Sequence, residues 1–180
     1  MVTHPKIYGI AGPSGSGKTT YAKQWSAELG GAPVLELDAY YRPAEPGEII
    51  EDRNFDHPDA LDVELFVAHL KQWKSGQNIV APIYDFSVHA WTGETLTIPA
   101  GPILIVEGML LLHFAQIRAL LDHSIYLDTD FDACYRRRLF RDVSERGRTE
   151  ANVHEQFRKN GRPMYESYVL PSRKWADEVK

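Results

Sequence analysis

The run GPSGSGKT at 12–19 fits the spacing G-x-x-x-x-G-K-[ST] at every fixed position. Its three glycines let a backbone curl until successive N–H groups point inward, an arrangement that grips phosphate oxygens. Gly12, Ser14, Gly15, Ser16 and Gly17 make such a cradle; Lys18 reaches the β- and γ-phosphates, and Thr19, followed by Thr20, offers a hydroxyl to Mg²⁺. These residue types at this spacing ask for a nucleoside triphosphate with Mg²⁺. The guanine-reading N-K-x-D and the switch-type D-x-x-G occur nowhere in the chain, which speaks against a switch GTPase.

Two carboxylates stand where such a loop needs them. Glu107 closes the apolar run ILIVE, and an acidic residue at a strand end can hold a Mg²⁺-bound water. Asp38, in LELDAYYR, is a candidate base for an attacking hydroxyl, although an aspartate there equally suits a turn or a helix cap. The decapeptide PIYDFSVHAW at 82–91 mixes three further aromatic residues with a carboxylate and an imidazole and follows no helical or strand period. Tyr84, Phe86 and His89 within it suit a flat, hydrogen-bonding ligand as well as they suit hairpin packing. Arg136, Arg137, Arg138, Arg141, Arg146 and Arg148 crowd into thirteen residues and cannot all share one helix face, so they divide between roles.

Four short β-branched runs, at 6–11, 33–37, 102–106 and 124–127, read as buried strands. Helical patterns at 19–29, 61–73 and 130–146 lie between or after them, each stopped by glycine. Strands alternating with helices predict an α/β fold whose parallel sheet carries ligands at its carboxyl edge, where the phosphate loop, Asp38 and Glu107 would meet. The segment 78–99 breaks the rhythm: two extended runs joined by a polar turn containing Gly93 predict a β-hairpin over one end of the sheet.

A chain of 180 residues, 43% hydrophobic, suits one domain, 1–180, with the hairpin as an insertion. Twenty basic against 25 acidic residues leave a net charge of −5, which disfavours a general nucleic-acid or membrane binder. The single Cys134 suits a core filler and cannot make an internal disulfide. With no long apolar run behind a basic head, the expectation is a cytoplasmic protein.

Several separated stretches agree with one family. GPSGSGKTT, LDAYY, NFDHPDALD, PIYDFSVH, IVEG, RRRLFRDVSERGR, the Gln156 region, RPM and PSRKWAD, in that order, make the chain resemble the uridine/cytidine kinases, phosphate-loop kinases related to phosphoribulokinase. The resemblance runs from about Ile7 to the end. It implies a P-loop NTPase-type parallel sheet flanked by helices, with 78–99 as a hairpin lid, and ATP-dependent phosphorylation of the 5′-hydroxyl of uridine and cytidine.

The resemblance also implies roles. Lys18 and Asp38 would be catalytic, with Asp38 also touching substrate, and Thr19 and Glu107 would serve Mg²⁺. Tyr84 and His89 would hydrogen-bond the base, with Phe55 and Phe86 as its walls. Asp56, with Arg138 and Gln156, would hold the ribose; a carboxylate suits a vicinal diol because both its oxygens accept. Arg141 and Arg146 would contact ATP phosphates, and Arg148 the base. Relatives form tetramers, which implies a homo-oligomer. Two departures stand out: Trp91 where members commonly carry an arginine after the hairpin histidine, and an end at WADEVK where members continue through another short strand. The readings set against this one are a kinase of another hydroxyl-bearing metabolite and a nucleotide- or RNA-binding module without turnover.

Overall fold

The computed structural model describes residues 4–45, 47–50 and 53–180. Five parallel strands form the central sheet in the order β2-β5-β1-β6-β7: β1 Lys6–Ala11, β2 Val34–Glu36, β5 Ile103–Glu107, β6 His123–Tyr126 and β7 Glu178–Val179. The first four are the apolar runs expected from sequence. The last is a correction: the chain does reach a further strand, whose Glu178 pairs with Ile125 and Val179 with Tyr126.

Helices α1 Lys18–Glu28, α2 Val63–Lys74 and α4 Phe131–Glu145 follow the predicted helical patterns, with α3 Ala115–Arg118 a single turn before β6. Their ends have local causes. The Asp62 carboxylate accepts from Leu65 N at 3.1 Å, which starts α2 two residues later than the apolar pattern suggested. Asp130 caps α4 through Ala133 N at 2.9 Å. Helix α5, Glu150–Gln156, is capped by Thr149 and runs on through π-helical turns at Phe157–Gly161 and Tyr165–Val169.

The hairpin exists as β3 Ile79–Asp85 paired antiparallel with β4 Ala90–Ile98. Its turn is not at Gly93. The chain reverses over 86–89, where the Asp85 carboxylate accepts from the Ser87 N–H at 2.7 Å and the Ser87 hydroxyl at 2.6 Å, and where His89 adopts φ 52°. Gly93 instead serves a bulge: Pro82 faces Thr95 and Tyr84 faces Trp91, so three residues of β4 oppose one of β3, and Gly93 takes φ 83°. Glycine signals both features, and sequence alone did not separate them.

One apolar cluster joins the sheet, α2 and the base of the hairpin: Ile7, Leu104, Phe66, Leu70, Ile79, Ala81 and Ile98 all belong to it. Trp73 is fully buried there and donates its Nε1–H to Pro99 O at 3.0 Å, tying α2 to the strand leaving the hairpin. Cys134 is buried and free, as its expected filler role requires. Among the described residues no helix is long and apolar enough to cross a membrane.

Candidate active site

Because β1, β2 and β5 are parallel, their carboxyl ends meet at one edge, and a cavity of about 330 Å³ opens there. The phosphate loop forms one wall. Gly12 (φ 144°) and Gly15 (φ 84°) hold positive φ and have no room for a Cβ: one at Gly12 would lie 2.7 Å from Leu127 O, and one at Gly15 would strike the Cys134 carbonyl. Ser14, Gly15, Gly17, Lys18, Thr19 and Thr20 line the cavity, whereas Gly12 and Ser16 stand behind it. The Ser16 N–H closes the loop onto Pro13 O at 3.0 Å, and its hydroxyl is buried without a hydrogen-bond partner among the described residues.

Lys18 donates to Pro13 O at 2.9 Å. Burial lowers its pKa, a shift opposed by the Glu107 and Asp38 carboxylates. The Thr19 hydroxyl donates to Glu107 Oε1 at 2.6 Å. Burial raises the Glu107 carboxyl to about 7, with Lys18 working against the shift. A hydroxyl and a carboxylate in contact are the oxygen donors a hard cation takes. Among the described residues no cluster of three or more His, Cys, Asp or Glu could hold a metal ion.

Asp38 sits on a 3₁₀ turn, Leu37–Tyr40, directly after β2 and lines the same cavity. Its position follows from the pairing of β2 with β5, which sets Glu36 beside Glu107. Glu36 lines the cavity too, and its carboxyl is pushed up by burial and by Asp38. Tyr41 lies within electrostatic reach of both Asp38 and Asp56, and burial raises its pKa first, those two carboxylates adding to the shift.

Asp56 is buried and paired. Arg138 Nη1 and Nη2 donate to its two carboxylate oxygens at 2.9 and 3.0 Å, so the two residues assigned to one sugar bind each other. Phe55 stacks on His89 with centroids 4.7 Å apart, and both line the cavity with Phe86. Tyr84 does not line it. The Tyr84 ring packs between Tyr41 and Phe86, and its hydroxyl is buried without a hydrogen-bond partner among the described residues. Trp91 is packed against the core opposite Tyr84 and leaves its Nε1–H equally without one.

The arginines do divide, and one buried residue organises them. Asp142 is fully buried; its Oδ1 accepts from Arg141 Nε and Nη2 at 3.0 and 2.8 Å and lies 3.5 Å from Arg146 Nη1. Its Oδ2 lies 3.8 Å from Arg138 Nε and 3.6 Å from Arg148 Nη1. Arg148 donates to Gln156 Oε1 at 2.7 Å. Arg146, expected on phosphates, lies 4.1 Å over the Phe86 ring, on the aromatic side. Arg138, Arg141, Arg146, Arg148 and Gln156 all line the cavity. Sequence reasoning missed Glu36, Tyr41, Arg53, Met109, Arg137, Asn160 and the hub Asp142; for Asp142 the signal was a lone acid inside RRRLFRD.

Known proteins resemble this chain. A family model described as Phosphoribulokinase / Uridine kinase family matches residues 7–179. A uridine kinase of Shewanella baltica is 42% identical over 181 residues, covering 96% of this chain and 85% of the relative. A uridine kinase of Halalkalibacterium halodurans is 38% identical over 183 residues, covering 99% and 87%. Among solved structures, phosphoribulokinase from Rhodobacter spheroides superposes with a TM-score of 0.70 at 14% identity, over 98% of this chain and 71% of that one, a likeness of fold. By the length matched, and by relatives about 40% identical over nearly the whole chain, the chain belongs to the phosphoribulokinase / uridine kinase family.

Proposed function

We propose that this protein is a nucleoside kinase that transfers the γ-phosphoryl group of ATP to the 5′-hydroxyl of uridine and cytidine. The observation that carries the reading is the composition of one cavity, lined by Lys18, Thr19 and Glu107 on the loop side, by Phe55, Phe86 and His89 on the aromatic side, and by Asp38 and Asp56 as well. Relatives printed as uridine kinases support the choice of substrate.

The chemistry follows from those groups. The cradle and Lys18 bind the triphosphate, and Arg141 and Arg146, which line the same cavity, neutralise its charge. Thr19 and Glu107 would hold Mg²⁺, which would supply charge neutralisation when bound. Asp38 takes the proton of the 5′-hydroxyl as the O5′–phosphorus bond forms and the bond from the γ-phosphorus to the bridging oxygen breaks, leaving ADP. Asp56 accepts from the ribose hydroxyls, so the Arg138 pairing must share or yield an oxygen when the sugar binds. Phe55 and Phe86 wall the base and His89 addresses its edge, with Tyr84 behind them. Arg148 and Gln156 close that side. The same reading makes the protein a cytoplasmic homo-oligomer, a tetramer by family resemblance, which light scattering on a sizing column checks.

The test is ADP release with Mg²⁺ and ATP across uridine, cytidine, deoxycytidine, adenosine and no nucleoside. Stimulation by uridine and cytidine, weak for deoxycytidine, is expected; release no greater than the blank with every nucleoside would remove the reading. Asp38→Asn should lose about 10²-fold or more in kcat with its melting temperature kept.

A further inference from the structure

On the aromatic side the cavity holds a guanidinium with no assigned task. Arg53 lines the cavity, and its side chain is only 9% exposed. Its Cζ lies 5.2 Å from the centroid of Phe55, the ring that stacks on His89. The Glu48 carboxylate stands 3.6 Å from its Nη1, too far for a hydrogen bond, and that Nη1 is buried with no hydrogen-bond partner among the described residues. On the same cavity, by contrast, Arg138 donates to Asp56 through both terminal nitrogens and Arg148 donates to Gln156 through Nη1. Arg138 leaves only its inner Nε, 3.8 Å from Asp142 Oδ2, without a hydrogen bond among the described residues.

A buried guanidinium N–H without an acceptor is costly, so the group is complementary to a ligand that brings one. Guanidinium carries donors only and cannot turn to accept. Uracil offers a carbonyl oxygen at position 4, whereas cytosine offers an amino group there, a donor facing a donor.

We propose that Arg53 is a specificity-determining residue that donates to the 4-carbonyl of the uracil ring and so favours uridine over cytidine. The proposal rests on the nucleoside reading above. The Glu48 carboxylate, 3.6 Å away, leaves the buried Nη1 unconsumed. A missing acceptor at a site built to donate is what makes one substrate lose against a near isostere.

The experiment is steady-state kinetics of the whole protein at saturating Mg²⁺ and ATP, with uridine and with cytidine, for wild type, Arg53→Gln, Arg53→Lys and Glu48→Gln. Arg53→Gln should lower kcat/KM for uridine about tenfold, leave cytidine within about twofold and leave the KM for ATP unchanged. Arg53→Lys should keep part of the preference, and Glu48→Gln should keep the uridine-to-cytidine ratio. An equal fall on both nucleosides would mean a contact shared by both bases, and a lower melting temperature with an unchanged ratio would mean a packing role; either overturns the proposal. A wild-type protein inactive on both nucleosides would sink the nucleoside reading before any variant was made, and the proposal with it.

Discussion

Burial lifts the Glu107 carboxyl to about 7 against an ordinary 4.5, so the folded state holds that proton more tightly than the unfolded chain does. The stabilisation is fully present below about 4.5 and is lost as pH rises through about 7. Melting of the ligand-free protein should therefore show wild type losing more stability than Glu107→Gln between pH 5 and pH 8; parallel curves would refute the buried-acid reading. Adding Mg²⁺ with ATP should release a proton near pH 7, measurable by calorimetry in buffers of different ionisation heat. Lys18→Ala removes a buried ammonium that its surroundings already press toward neutrality, so the fold should survive while kcat collapses, about 10²-fold or more. The loop residues were legible in sequence because their spacing is local. Asp142 was not, because its meaning depends on four guanidiniums converging on it, and only Arg141 is its neighbour in sequence. Arg53 was missed for the same reason: its nearest aromatic partner is close in sequence, but the cavity it lines is assembled from distant segments.

Elements place these groups through tight contacts that admit few substitutions. Gly108 follows Glu107 and lies against the turn that carries Asp38; a Cβ there would stand 2.6 Å from Leu37 Cβ. Gly108→Ala should push that turn away, costing about 1–3 kcal/mol in denaturant unfolding and lowering kcat by more than the stability loss explains. Unchanged activity would mean that the turn adjusts freely. Helix α4 depends on Asp142 in the same way: Asp142→Asn leaves the surrounding guanidiniums without their buried counter-charge and should cost about 3 kcal/mol, read by urea titration. Strands at 6–11 and 102–106 could be read from their continuous β-branched runs, since both faces of a parallel sheet are covered. A two-residue β7 has no such run, and its pairing with β6 is the only thing that makes it a strand.

At the scale of the whole molecule, we propose that sheet and hairpin form one cooperative unit, because Ile79, Ala81 and Ile98 share a core with Ile7 and Phe66. Chemical denaturation followed by tryptophan fluorescence and by far-ultraviolet circular dichroism should give coincident single transitions. A separate early transition in the fluorescence would instead make the hairpin, which carries Trp91, an independent piece. The net charge of −5 was readable at once and argued for a local anion site, but not that one buried acid would gather the arginines into it.

The hairpin turn has a consequence for anyone selecting this protein for robustness. His89 sits at φ 52°, a conformation that glycine adopts freely and that costs a histidine roughly 1 kcal/mol. Replacing it with glycine relieves that backbone strain while deleting the ring that stacks on Phe55. A library screened by heat alone would reward the relaxed turn and could not register the lost ring, so any such campaign needs a catalytic readout beside the thermal one.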